Sequence, residues 1–125
     1  MLKQACPPAP EGACQTLRLT SLWWQIQINP EDRSLDSRFE ELATSTIAAN
    51  AAWTDREPKR AEAWFYLAAA YAPRVQWRIL RGERLSAARD GKRIKDALER
   101  SLALDPMLND AYFGIGLYHY YADVG

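Results

Sequence analysis

The sequence lacks most features by which function is usually assigned. Its 125 residues contain no run approaching the roughly 20 apolar residues of a membrane span, because Arg, Gln or Asp interrupts each apolar stretch. Acidic and basic side chains number 16 each, so the formal net charge is zero and no nucleic-acid partner is predicted. Gly-rich phosphate loops, metal-ligand spacings and nucleophile motifs are missing. We therefore expect no enzyme, cofactor or metal site.

Histidine and cysteine are scarce. The single histidine, His119, lies in an aromatic segment without a motif-level partner, and we interpret it as packed rather than catalytic. The two cysteines, Cys6 and Cys14, flank a proline-rich stretch that favours a turn-rich loop. If they form a disulfide, the compartment is oxidising, such as a periplasm or the extracellular space. The alternative is two free thiols in a cytoplasmic protein.

Proline and glycine divide the chain into about five predicted helices, so the fold class is all-α. Residues 1–13 are predicted to form an irregular arm and 14–125 a helical domain. The domain comprises a hairpin (14–57), an elongated repeat (59–106) and the first helix of a further repeat (110–123).

Local signals predict details of these helices. The first is apolar on nearly every side and is expected to be buried. Ser34 or Asp36 is a candidate cap for the second helix, and Pro58 ends that helix or closely follows its end. Gly82 marks the turn between the third and fourth. Pro73, inside the third helix, predicts a kink.

A pattern of aromatic, apolar and small residues recurs along the chain. It reads Trp64-x-x-Leu67-Ala68-x-x-Tyr71, then Ile94-x-x-x-Leu98, then Leu104-Asp105-Pro106, and begins again as Tyr112-x-x-Ile115-Gly116-x-x-His119. Over about residues 36–123 this series resembles the tetratricopeptide repeat, in which antiparallel helix hairpins stack into a superhelix. The resemblance implies a scaffold that binds other proteins.

The repeat interval departs from that family. Trp64 and Tyr112 are 48 residues apart, against about 34 in the usual repeat. Because seven residues are close to two helical turns, the excess fits two added turns per helix. We therefore predict a long hairpin that projects from the stack, with its tip near Gly82.

Residues 74–95 carry eight basic and two acidic side chains. Arg74, Arg78 and Arg81 share a helical face, which indicates either an anion patch or a solvated face partly paired with acidic residues elsewhere. The candidate acidic partners are Glu40, Glu41 and Glu57.

The tetratricopeptide resemblance also implies a groove lined by the first helix of each repeat. The groove-facing residues would be Phe65, Ala69, Ala72, Phe113, Leu117 and Tyr120. Since none is charged, we expect an apolar groove suited to a helix rather than to an acidic peptide terminus.

Three functions remain open from the sequence. The first is a non-catalytic protein-interaction scaffold, binding a partner protein or another copy. The second is a structural subunit that self-associates into an oligomer or filament through its aromatic final helix, whose rings require a cover. The third is an accessory domain of a larger envelope enzyme.

Overall fold

Within residues 11–107, the fold consists of four helices joined by short turns. A computed structural model of the chain describes residues 11–107. Helix α1 spans Glu11–Ile28, α2 Asp36–Arg56, α3 Ala61–Leu80 and α4 Arg84–Leu104. No strand occurs within residues 11–107, and none of these four helices is long and apolar enough to cross a membrane. The all-α class is confirmed, whereas the predicted helix at 110–123 lies outside the described residues.

Three predicted breaks coincide with helix ends. Helix α2 ends shortly before Pro58, and α4 ends just before Asp105. Gly82, between α3 and α4, has a φ of 81°, a left-handed conformation that only glycine adopts without steric cost. Helix α3 continues through Pro73, which is buried within it. The kink predicted there stays a prediction.

Helix α1 begins earlier than predicted. The arm was expected to extend to residue 13, but Glu11 already lies in the first turn, where its carboxylate accepts a hydrogen bond from Gln15 Nε2 at 3.0 Å. Gly12 is buried, and its carbonyl oxygen accepts a hydrogen bond from Asn50 of α2 at 3.2 Å. Contact with another helix thus outweighs the cost of about 1 kcal/mol that glycine imposes on a helix.

The predicted cap of α2 is wrong. Leu35 occupies the capping position, and no side chain bonds the free backbone N–H groups there. The Asp36 carboxylate instead accepts hydrogen bonds from Trp77 and Arg81 of α3. The Ser34 side chain is not a cap either; its backbone N–H donates to Asp32 at 2.9 Å. Tertiary partners therefore replace the local cap.

The main core lies between α1, α2 and the C-terminal half of α3. Its buried side chains are Leu19, Leu22, Trp23, Ile26, Phe39, Ala43 and Trp77. The ring of Phe39 lies 6.1 Å from that of Trp23 and 5.2 Å from that of Trp77. A second core joins α3 to α4 around Ala68, Ala97 and Leu98.

This packing contradicts the prediction that the α3–α4 hairpin projects from the stack. Arg81, beside the tip, donates to the carbonyl oxygen of Pro30 at 2.6 Å and to the carboxylate of Asp36 at 2.8 Å. Because Trp77 also belongs to the main core, the tip of the α3–α4 hairpin is docked on α1 and α2. The hairpin tip therefore packs on the other two helices instead of projecting from them.

Candidate interaction surfaces

The predicted groove residues of α3 lie on one face of that helix. Phe65, Ala69 and Ala72 are spaced by four and three residues, and each is partly exposed. The face continues to Gln76, whose side-chain oxygen accepts a hydrogen bond from Trp23 Nε1 of α1 at 3.1 Å. Phe113, Leu117 and Tyr120, the other predicted groove residues, lie outside the described residues.

Aromatic rings form a wall at one end of this face. Phe65 and Tyr66 lie 5.6 Å apart, and Tyr66 stacks on Trp53 of α2 at 5.9 Å. The Arg60 guanidinium lies 5.8 Å from the centre of the Trp53 ring. Phe65 thus stands at the aromatic end of the face, one helical turn before Ala69.

The basic patch is built differently from its prediction. Asp90, only 2 % exposed, accepts hydrogen bonds from Arg74 Nε and Nη2 at 2.8 and 3.0 Å and from Arg78 Nη1 at 2.8 Å. Arg81 lies apart from these two and binds Asp36. All three guanidinium groups bind carboxylates of this chain, so the anion-patch interpretation gains no support.

The acidic partners also differ from those expected. Glu57 pairs with Arg60 at 3.5 Å, while Glu40 and Glu41 are exposed on the outer face of α2. None of these three forms an ion pair with the patch. The pairing of Asp36 and Asp90 with the arginines of this patch was not predicted from the sequence, because it depends on how the helices pack. The one available signal was that Asp90 lies among basic residues with the spacing of an inward-facing position.

The environment of Asp36 changes its acidity. Burial raises the pKa of Asp36, but hydrogen bonds from Arg81 and Trp77 and the charge of Arg81 outweigh it. The pKa therefore lies below its ordinary value. The carboxylate remains ionised near neutral pH and anchors the hairpin tip to the start of α2.

A buried amide connects α1 to α2. Asn50 Nδ2 lies within hydrogen-bonding distance of the Gly12 carbonyl oxygen (3.2 Å), Thr16 Oγ1 (3.1 Å) and the Thr46 carbonyl oxygen (2.9 Å). Asn50 is fully buried, and its Oδ1 has no hydrogen-bond donor within the described part of the chain. This cluster fixes how closely the two helices approach.

The remaining sequence candidates are only partly visible. Cys14 is buried in α1, but Cys6 lies outside the described residues, so their disulfide stays a prediction. His119 lies outside them too. Between residues 11 and 107, no group of three or more histidine, cysteine or acidic side chains could hold a metal ion.

Helix α1 is not buried on every side, contrary to its apolar composition. Leu17, Trp24 and Ile28 are 47, 63 and 84 % exposed. These side chains lie opposite the face that carries Leu19 and Ile26 in the main core. A second apolar stripe therefore faces solvent.

Comparison with family models, curated proteins and solved structures gives no match. The tetratricopeptide resemblance accordingly stays a prediction. The apolar surfaces described above on α3 and on α1 are the candidate sites of function.

Proposed function

We propose that the chain is a non-catalytic protein-interaction scaffold of stacked, tetratricopeptide-like hairpins that binds an apolar helix on α3. The observation that carries the proposal is the partly exposed face of Phe65, Ala69 and Ala72. Helix α3 packs on α1, α2 and α4, yet this face remains accessible. The most enclosed helix of the described stack thus still presents an apolar surface.

The packing order supports the repeat interpretation. Helix α3 contacts both helices of the preceding hairpin, while α4 packs mainly on α3. Stacked hairpins of the tetratricopeptide type place their first helices side by side along a groove. Helices α1 and α3 are such first helices, and the hydrogen bond from Trp23 to Gln76 joins them.

The chemistry of the face favours an apolar helix as ligand. Ala69 and Ala72 lack bulk, so a ligand side chain can lie between the Phe65 ring and Gln76. An amphipathic helix presents side chains at matching intervals of three, four and seven residues. Since Phe65, Ala69 and Ala72 carry no charge, none of them can pair with a peptide carboxylate.

A displayed peptide library, selected against the folded chain, tests this proposal. We expect amphipathic helical peptides whose affinity falls at least about tenfold in Ala72→Glu, because a carboxylate then enters an apolar contact. Ser45→Glu, on the exposed outer face of α2, is the matched control and should bind normally. Equal binding by both variants, or selection of no apolar peptide, would contradict the proposal.

A further inference from the structure

The exposed stripe of α1 has the spacing of a helix-pairing seam. Leu17, Ser21, Trp24 and Ile28 follow one another at intervals of four, three and four residues. These are positions d, a, d and a of a heptad, the repeat that brings one helix against another. All four side chains are exposed. The seam covers about 16 Å of helix, at 1.5 Å per residue.

The sizes of these side chains are complementary when two copies of α1 pair in antiparallel orientation. In an antiparallel pair, each a position lies opposite a d position. Small Ser21 then meets large Trp24 of the other copy, and Leu17 meets Ile28. A parallel pair would instead place Trp24 against Trp24 and leave a gap between two serines. Alternation of large and small residues fills a helix interface without voids.

The flanks of the seam allow the same pairing. Thr20, Gln25 and Gln27 are uncharged, and Arg18 is the single charged side chain beside the stripe. In the antiparallel register Arg18 lies near Gln25 of the other copy, so no like charges meet. Thr20 and Gln27 face each other on the opposite flank. A polar, nearly neutral rim around an apolar centre is typical of a protein interface.

We propose that α1 is a homodimerisation surface, on which a second copy of this chain pairs antiparallel about a two-fold axis. Such an interface is isologous, because the same patch serves both copies. The exposed parts of Leu17, Trp24 and Ile28 amount to roughly 400 Å² per copy. The surface that two copies could bury together, including their flanking glutamines, approaches the lower limit of a specific interface, which is about 1,000 Å². A reversible dimer of moderate affinity follows.

The seam shares no residue with the α3 face proposed to bind a peptide. The seam residues lie on the side of α1 opposite its core face, whereas Phe65, Ala69 and Ala72 lie on α3. Dimerisation and peptide binding are therefore tested by different substitutions, Trp24→Glu and Ala72→Glu. The dimer would present two grooves and raise affinity for a repeated ligand.

Light scattering after size exclusion, over a wide range of concentrations, tests the dimer. We expect growth from monomer to dimer, and a dissociation constant raised roughly 100-fold by Trp24→Glu, because a two-fold interface contains the substitution twice. Ser45→Glu is the matched exposed control and should leave the constant unchanged. Because Trp24 is exposed, the variant should keep its helical circular dichroism. A monomer at every concentration, or a dimer that persists in Trp24→Glu, would overturn the proposal.

A pair of double variants tests the antiparallel register. Leu17→Glu with Ile28→Lys places opposite charges together across the axis, whereas Leu17→Glu with Ile28→Glu places like charges together. We expect the first to dimerise at least about tenfold more tightly at low salt, a difference that high salt reduces. Equal dimerisation by both double variants would overturn the register.

Discussion

Replacing Asp90 by asparagine should destabilise the protein strongly. The Asp90 carboxylate is buried and accepts three hydrogen bonds of 3.0 Å or less from Arg74 and Arg78. Arg78 Nε is also buried without a partner among the described residues. Removing the carboxylate charge leaves two neighbouring guanidinium groups without compensation. The substitution therefore removes attraction and leaves like-charge repulsion.

The magnitude follows from burial. Breaking a buried ion pair by removing one partner costs about 3–5 kcal/mol. The Arg74 and Arg78 side chains are 13 and 21 % exposed, so water recovers part of this loss. We expect about 3 kcal/mol for Asp90→Asn, near the lower end of the range. The free energy of unfolding of a protein of this size falls by about 1.5 kcal/mol per M of urea. The urea concentration at the unfolding midpoint should therefore fall by roughly 2 M.

Urea unfolding followed by circular dichroism measures the effect. Asp96→Asn, an exposed acid on the same helix, is the matched control and should change the free energy of unfolding by less than about 0.5 kcal/mol. Replacing Arg74 and Arg78 by methionine together with Asp90 by leucine should cost less than Asp90→Asn alone, since a complete buried ion-pair cluster can be exchanged for apolar contacts. A loss below about 1 kcal/mol for Asp90→Asn would contradict this prediction, because such a loss is typical of an exposed ion pair.

Two further predictions concern contacts between helices. Gly12→Ala should reduce the free energy of unfolding by about 1–3 kcal/mol, because the added Cβ would lie 2.4 Å from Asn50 Oδ1 and the fully buried amide must move. Thermal unfolding measures the loss. An unchanged midpoint would show that α1 and α2 accommodate the methyl group without cost. The lowered pKa of Asp36 stabilises the fold above the unfolded value of about 4, and this contribution disappears as pH falls through the folded value. Urea unfolding between pH 7 and 2 should therefore show that the free energy of unfolding decreases less on acidification in Asp36→Asn than in the unaltered protein. An equal decrease in both proteins would contradict the ion pair.

Local sequence signals located the helix breaks well. Pro58 and Gly82 act through their own backbone geometry, which requires no information about distant residues. The start of α1 was misplaced, because Gly12 is a poor helix former in isolation. Its helical state depends on Asn50, which lies 38 residues further along the chain. Local rules misplace a helix end where a contact with a distant residue determines the backbone conformation.

The candidate surfaces show the same division. The tetratricopeptide resemblance put Phe65, Ala69 and Ala72 on one face of α3, and each of them is partly exposed, while the groove itself stays a prediction. In contrast, the apolar composition of α1 gave no indication of which side would face solvent. Only the positions of α2 and α3 bury Leu19 and leave Trp24 exposed.

Local signals were enough to predict the four helices within residues 11–107 and most of their ends, because helix periodicity, proline and glycine act over a few residues. The partners of the charged side chains, in contrast, depend on how the helices pack. Arg81 meets Asp36 from 45 residues away, and Asp90 becomes buried only when α4 packs on α3. Electrostatic pairing and burial depend on distance in space, which the order of residues along the chain does not specify.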